Sequence, residues 1–138
     1  MQTEKKDLAP EAAAAGSDPL LECLVFLTSH YGRAKSAEAI RAGLAYDEKG
    51  MGPALFVEAA GRLGLKAKIV RRGNPGDIPA PVLPAVLILK DNKACVLLSL
   101  SGEAAEVVWP EDSVSRSIPR ADLKKLYAGY AIFVHPRP

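Results

Sequence analysis

From Pro19 onward the apolar positions crowd together: Leu20, Leu21, Cys23, Leu24, Val25, Phe26 and Leu27 leave almost no polar face through Ser29. A helix apolar around most of its circumference belongs in the middle of a domain. Proline suits the first helical position, and Asp18 before it is expected to cap the free amides with its carboxylate. Two amphipathic stretches follow. Ser36 can cap a helix with Ile40 and Leu44 one turn apart, and Pro53 opens another in which Leu55, Ala59 and Leu63 share a face before Gly64 stops it.

The period changes at Lys66. Lys66 to Val70 partly alternates, Gly73 to Pro81 reads as loop, and Pro84–Leu89 and Lys93–Leu100 read as strands around a tight Asp91-Asn92 turn. A third strand is expected around Glu106 to Trp109, a fourth helix over Arg120 to Tyr127 and a closing strand over Tyr130 to Val134, with Pro136 and Pro138 ending regular structure. Helices segregated from an antiparallel meander make an α+β pattern. Residues 1–17 combine charges, Pro10 and an alanine run, and are expected to be a mobile tail, leaving one domain over 18–135.

A chain of 138 residues with 49% hydrophobic and 25% charged residues is an ordinary globular domain. Its net charge of +2 argues against binding nucleic acid by phosphate neutralisation, and the Lys5-Lys6 and Arg71-Arg72 pairs are too short to change that. Apolar runs such as Ala85 to Leu89 and Ala94 to Leu98 fall far short of a membrane span, so no membrane insertion by this chain is expected, and the N-terminus lacks the apolar core of a signal peptide. Cys23 and Cys95 sit in apolar segments and read as reduced core thiols. With His30 and His135 they show no metal-site spacing, so neither metal nor cofactor is expected. On one helix Cys23 and His30 would stand about 10 Å apart along the axis, too far for a nucleophile and its base. His135 is expected to be exposed.

Four stretches, in order, carry a family resemblance. Asp18-Pro-Leu-Leu-Glu-Cys23, closing at His30-Tyr31-Gly32, resembles the Asp-Cys-Gly-x-x-Cys opening of the bacteriocin-processing, double-glycine cysteine peptidases, which have a papain-like fold. Leu83 to Val86 with Asp91 to Leu97 resembles their strand-turn-strand with the catalytic histidine, Trp109-Pro110 their Asp-Pro pair, and Leu126 to Ala131 the end of the module. On that resemblance the nucleophile position falls on Pro19, the base on Lys93 and the orienting acid on Trp109, and no oxyanion glutamine precedes them. A thiol peptidase needs a thiolate, a base and oxyanion donors. The resemblance therefore implies that the chain is not an enzyme.

It implies instead a peptidase-like domain at the N-terminus of a type I secretion ABC exporter of the adhesin or repeat-in-toxin branch. Its partners would be the unfolded secreted protein and the remainder of the transporter, on the cytoplasmic side of the inner membrane. With no Gly-x-x-x-x-Gly-Lys-Ser/Thr loop, the chain would carry no ATPase. Lys93, Trp109 and Tyr130 are the candidate substrate contacts; Lys93 reads more readily as a turn-flanking charge, and Trp109 either caps the old cleft or anchors a partner. Tyr127, Tyr130 and Phe133 are expected in the core, with at most one exposed. Two alternatives remain: a leader peptidase with an unorthodox nucleophile, Cys23 or Cys95, and a regulatory domain that contacts only the transporter.

Overall fold

The computed structural model describes residues 18–137. The expected tail over 1–17 lies outside the described residues. Helix α1 (Pro19–His30) starts at the proline as expected and buries Leu21, Cys23, Leu24 and Leu27. Its far end is tied down: Tyr31 donates its hydroxyl to the Val134 carbonyl at 2.7 Å. Asp18 does not cap the helix with its side chain. The carboxylate instead accepts from the Met51 amide at 2.6 Å and from the Tyr46 hydroxyl, because the 42–52 segment folds back onto the helix start and takes it.

Helix α2 (Ala37–Arg41) is shorter than its sequence suggests, although Ser36 caps it as expected, accepting from the Ala39 amide at 3.1 Å. Helix α3 (Pro53–Arg62) buries Phe56, Ala59 and Ala60, and Gly64 at φ +80° turns the chain directly into the sheet.

Six strands follow: β1 (Leu65–Arg71), β2 (Ala85–Leu89), β3 (Lys93–Ser101), β4 (Ala104–Trp109), β5 (Val114–Pro119) and β6 (Tyr127–Pro136). All neighbours pair antiparallel in the order β1-β6-β2-β3-β4-β5, so the last strand inserts between the first two. Asp91 and Asn92 adopt φ +62° and +58° in the β2–β3 turn, as their residue types predict. The segment after Gly73 contains two short 3₁₀ turns, Pro75–Asp77 and Ala80–Val82, where only loop was expected. Helix α4 (Arg120–Leu126) yields to β6 at Tyr127, three residues earlier than expected.

Strand β5 is unanticipated in the sequence. Its residues are almost all exposed and the three at its centre, Ser115, Arg116 and Ser117, are polar, so it carries no alternating apolar signal; pairing with β4 and the turn at Asp112, which accepts from the Val114 amide at 2.9 Å, hold it. His135 also departs from expectation, lying half-buried within β6 opposite Lys66 because the strand runs on to Pro136.

The sheet separates two cores. On one face Val86, Ala94, Val96, Val108, Ile132 and Val134 pack with α1, α2 and α3; on the other Leu87, Cys95, Leu97, Val107 and Ala131 pack with Ile78, Leu123 of α4 and Tyr127. Burying a leucine such as Leu24 or Leu97 contributes about 1.5–3 kcal/mol.

Candidate functional site

The start of α1 lies over β3, and residues of β3 and β4 complete its surroundings. Pro19 stands half-buried at the first helical position. One turn on, the fully buried Cys23 thiol is pushed well above its ordinary range, by burial first and then by Cys95, Glu111, Glu22 and Asp18. Cys95 is likewise buried, and burial, with Glu111 adding, pushes its thiol up to about 12. Both thiols stay protonated at neutral pH, and both pack as small hydrophobes. Each is a free cysteine, as expected, since the two lie on opposite faces of the sheet.

Beside the helix start, Asp18, Glu22, Arg41 and Tyr46 form a polar cluster. The Arg41 guanidinium lies 5.6 Å from the centre of the Tyr46 ring. Burial, then the bond to Asp18, raises the Tyr46 phenol to about 12, with Arg41 opposing. Burial, then Asp18, also raises the Glu22 carboxyl, again against Arg41. The cluster fastens the 42–52 segment to α1. Nothing in the sequence pattern joins Asp18 to Tyr46; the two are 28 residues apart.

Strand alternation separates the three candidate contacts. Lys93 pairs with Leu89 and shares its face, away from α1; it is exposed. The residue that turns toward α1 is its neighbour, Ala94, buried among the helix-side residues. Trp109, half-buried, packs on the far-side core, and one step beyond the last Val96–Val108 pair it stands across from Cys95. Tyr130 pairs with Ile88 and Arg71 on the helix side and is exposed, with the Arg71 guanidinium 6.0 Å from its ring centre. Tyr127 is buried and Phe133 half-buried, so one aromatic of the three is exposed, as expected. Lys93 and Trp109 thus share a face, and Tyr130 does not. Among the described residues there is no metal-binding cluster.

A family model described as Peptidase C39 family matches residues 10–138. The chain belongs to the Peptidase C39 family. The N-terminal peptidase C39 like domain of the toxin secretion ATP-binding protein from Vibrio parahaemolyticus is 38% identical to this C39 domain, with a TM-score of 0.81 over 88% of this chain and 98% of that one. A double glycine motif protease from an AMS/PCAT transporter, in complex with the leader peptide, shares the fold at 19% identity and a TM-score of 0.71, over 87% of this chain and 86% of the other. The peptidase domain of Streptococcus ComA, a bi-functional ABC transporter involved in a quorum sensing pathway, does so at 19% identity and 0.73, over 87% and 92%. No curated protein matches the chain.

The α+β, papain-like fold is therefore as expected. The expectation that the chain is not an enzyme is overturned, because the C39 domain belongs to a family of peptidases and shares its fold with a protease and a peptidase domain. Among the described residues no helix is long and apolar enough to cross a membrane.

Proposed function

We propose that this C39 domain serves a type I secretion ABC exporter, where it binds and positions an unfolded secreted protein on the cytoplasmic side of the inner membrane. The substrate class is a repeat-in-toxin adhesin or toxin. The observation that carries this reading is the 38% identity to a toxin-secretion domain that the chain covers over 98% of its length. The sheet supports it, since both outer strands, β1 and β5, can accept an extended chain by strand addition. Tyr130, 42% exposed beside Arg71, is the contact that exposure favours; Lys93 and Trp109 offer a separate contact on the other face.

Affinity is modest, because an unfolded partner loses conformational entropy on docking. Titrating the labelled domain with unfolded, calcium-free repeats of the exported protein is expected to shift backbone resonances over one contiguous surface. No shift at high repeat concentration sinks the proposal.

Family membership favours a second reading, removal of a double-glycine leader. It predicts cleavage after the glycine pair of a leader peptide. An intact leader after prolonged incubation rules it out.

A further inference from the structure

Residues 65–72 carry four cations, Lys66, Lys68, Arg71 and Arg72, and no carboxylate, on a strand that forms one edge of the sheet. Two hydrogen bonds set the phase of that strand. The Arg137 amide donates to the Gly64 carbonyl and the Arg72 amide to the Gly129 carbonyl, each at 3.0 Å. In an antiparallel ladder every second residue bonds the same neighbour. Even-numbered residues of β1 therefore face β6 with their amides and carbonyls, while Leu65, Ala67, Ile69 and Arg71 direct theirs outward.

Side chains alternate with the same period. Lys66 and Lys68, with Arg72 just past the strand, stand on the face away from α1, α2 and α3, whereas Leu65, Ala67 and Ile69 stand on the side of those three helices. Ile69 is 41% exposed next to the exposed Tyr130. Arg72 is held over the Phe133 ring at 5.6 Å, and Arg71 over Tyr130. The ion pairs among the described residues, Arg62–Glu58 and Arg116–Asp112, involve none of these four cations.

Lysines on an edge strand ordinarily guard against self-pairing. They do so here, since a second β1 laid alongside would set cation against cation on one face. The same charges favour a strand of opposite sign, because opposite charges directly across a ladder attract. We propose that the β1 edge is the docking rail for an extended segment of the exported chain with carboxylates at alternate positions and apolar side chains between them. The carboxylates lie beside Lys66, Lys68 and Arg72, and the apolar side chains beside Leu65, Ala67 and Ile69, the next one lying along the stem of Arg71. This rests on the substrate-binding reading above and names the chemistry that such a substrate presents.

The probe is a fluorescent heptapeptide of alternating Asp and Val, titrated by anisotropy against the whole chain. A peptide of the same composition in blocked order cannot place its carboxylates on one face and is expected to bind several-fold more weakly. Lys66→Glu with Lys68→Glu turns two attractions into repulsions and is expected to weaken the alternating peptide about tenfold, with the effect shrinking in high salt. Ile69→Pro removes an outward amide without touching the bonds to β6, a position where an edge strand tolerates proline, and is expected to abolish binding. Should that variant fail to fold, N-methylation of alternate peptide amides on the pairing edge tests the same contact and is expected to abolish binding equally.

Equal binding of the blocked peptide, indifference to the double charge reversal, or displacement by single-stranded DNA as effective as by unlabelled peptide overturns the rail. Calcium-free repeats of the exported protein separate the two proposals. Repeats that bind wild type and the charge-reversed variant alike leave the substrate-binding reading standing without the rail; repeats that bind neither remove that reading.

Discussion

Replacing Asp18 by asparagine tests the polar cluster that fastens the 42–52 segment to α1. The carboxylate accepts from the Met51 amide and the Tyr46 hydroxyl, and both partners lie 28 or more residues away in sequence. Hydrogen bonds to a charged acceptor contribute about 1.5–3 kcal/mol each. Asp18 and Tyr46 both keep partial contact with water, which screens the charge, so the pair together is worth about 2 kcal/mol. Asp18→Asn is expected to lower the stability by that amount, read as a lowered urea midpoint at unchanged slope, and Tyr46→Phe to remove part of the same energy. Because the two residues share one bond, the double variant should cost less than the sum of the single ones.

The phenol supplies an independent readout. Folding raises Tyr46 to about 12 from an ordinary value of about 10. A raised value in the folded state means that the neutral phenol is favoured there, so this stabilisation is complete below pH ~10 and is lost as pH rises through ~12. Burial is the larger cause and Asp18 the next, so Asp18→Asn should bring the Tyr46 absorbance titration part of the way back toward its ordinary range. An unchanged midpoint together with an unchanged titration refutes this account of the cluster.

Three further outcomes follow from packing and exposure. Leu24→Ala removes a fully buried side chain from the helix-side core and is expected to cost about 2–5 kcal/mol, read as a lowered urea midpoint. Cys23 and Cys95 should resist a thiol reagent in native protein at neutral pH and both react in denaturant, since burial raises both; rapid native labelling of either contradicts the packing. For Cys95 the stabilising effect of the neutral thiol holds below its unfolded value and fades as pH climbs through about 12, so Cys95→Ala should make the alkaline fall of stability shallower.

Most elements were legible because their signals are local. Pro19 and Pro53 open helices, Gly64 closes one, Ser36 caps another, and Asp91-Asn92 take the positive φ that a tight hairpin needs. The buried faces of α1, β2 and β3 could be read from apolar spacing alone. Strand β5 was not legible, because a strand held by backbone pairing with β4 and exposed along its length needs no apolar alternation. Asp18 was misread for a related reason: a carboxylate before a helix fits the capping rule, and only the folded chain brings Tyr46 and Met51 close enough to claim it.

Element types, the α+β class and the burial of both cysteines follow from residue spacing and turn chemistry, which act within a few residues of one another. What those elements present to a partner depends on how the strands pair. Insertion of β6 between β1 and β2 leaves the lysine-bearing β1 at an edge, and strand alternation turns Ala94 toward α1 while Lys93 faces away. Both outcomes depend on pairing between residues far apart in the chain, where a shift of one residue exchanges the faces, and no local pattern specifies that pairing.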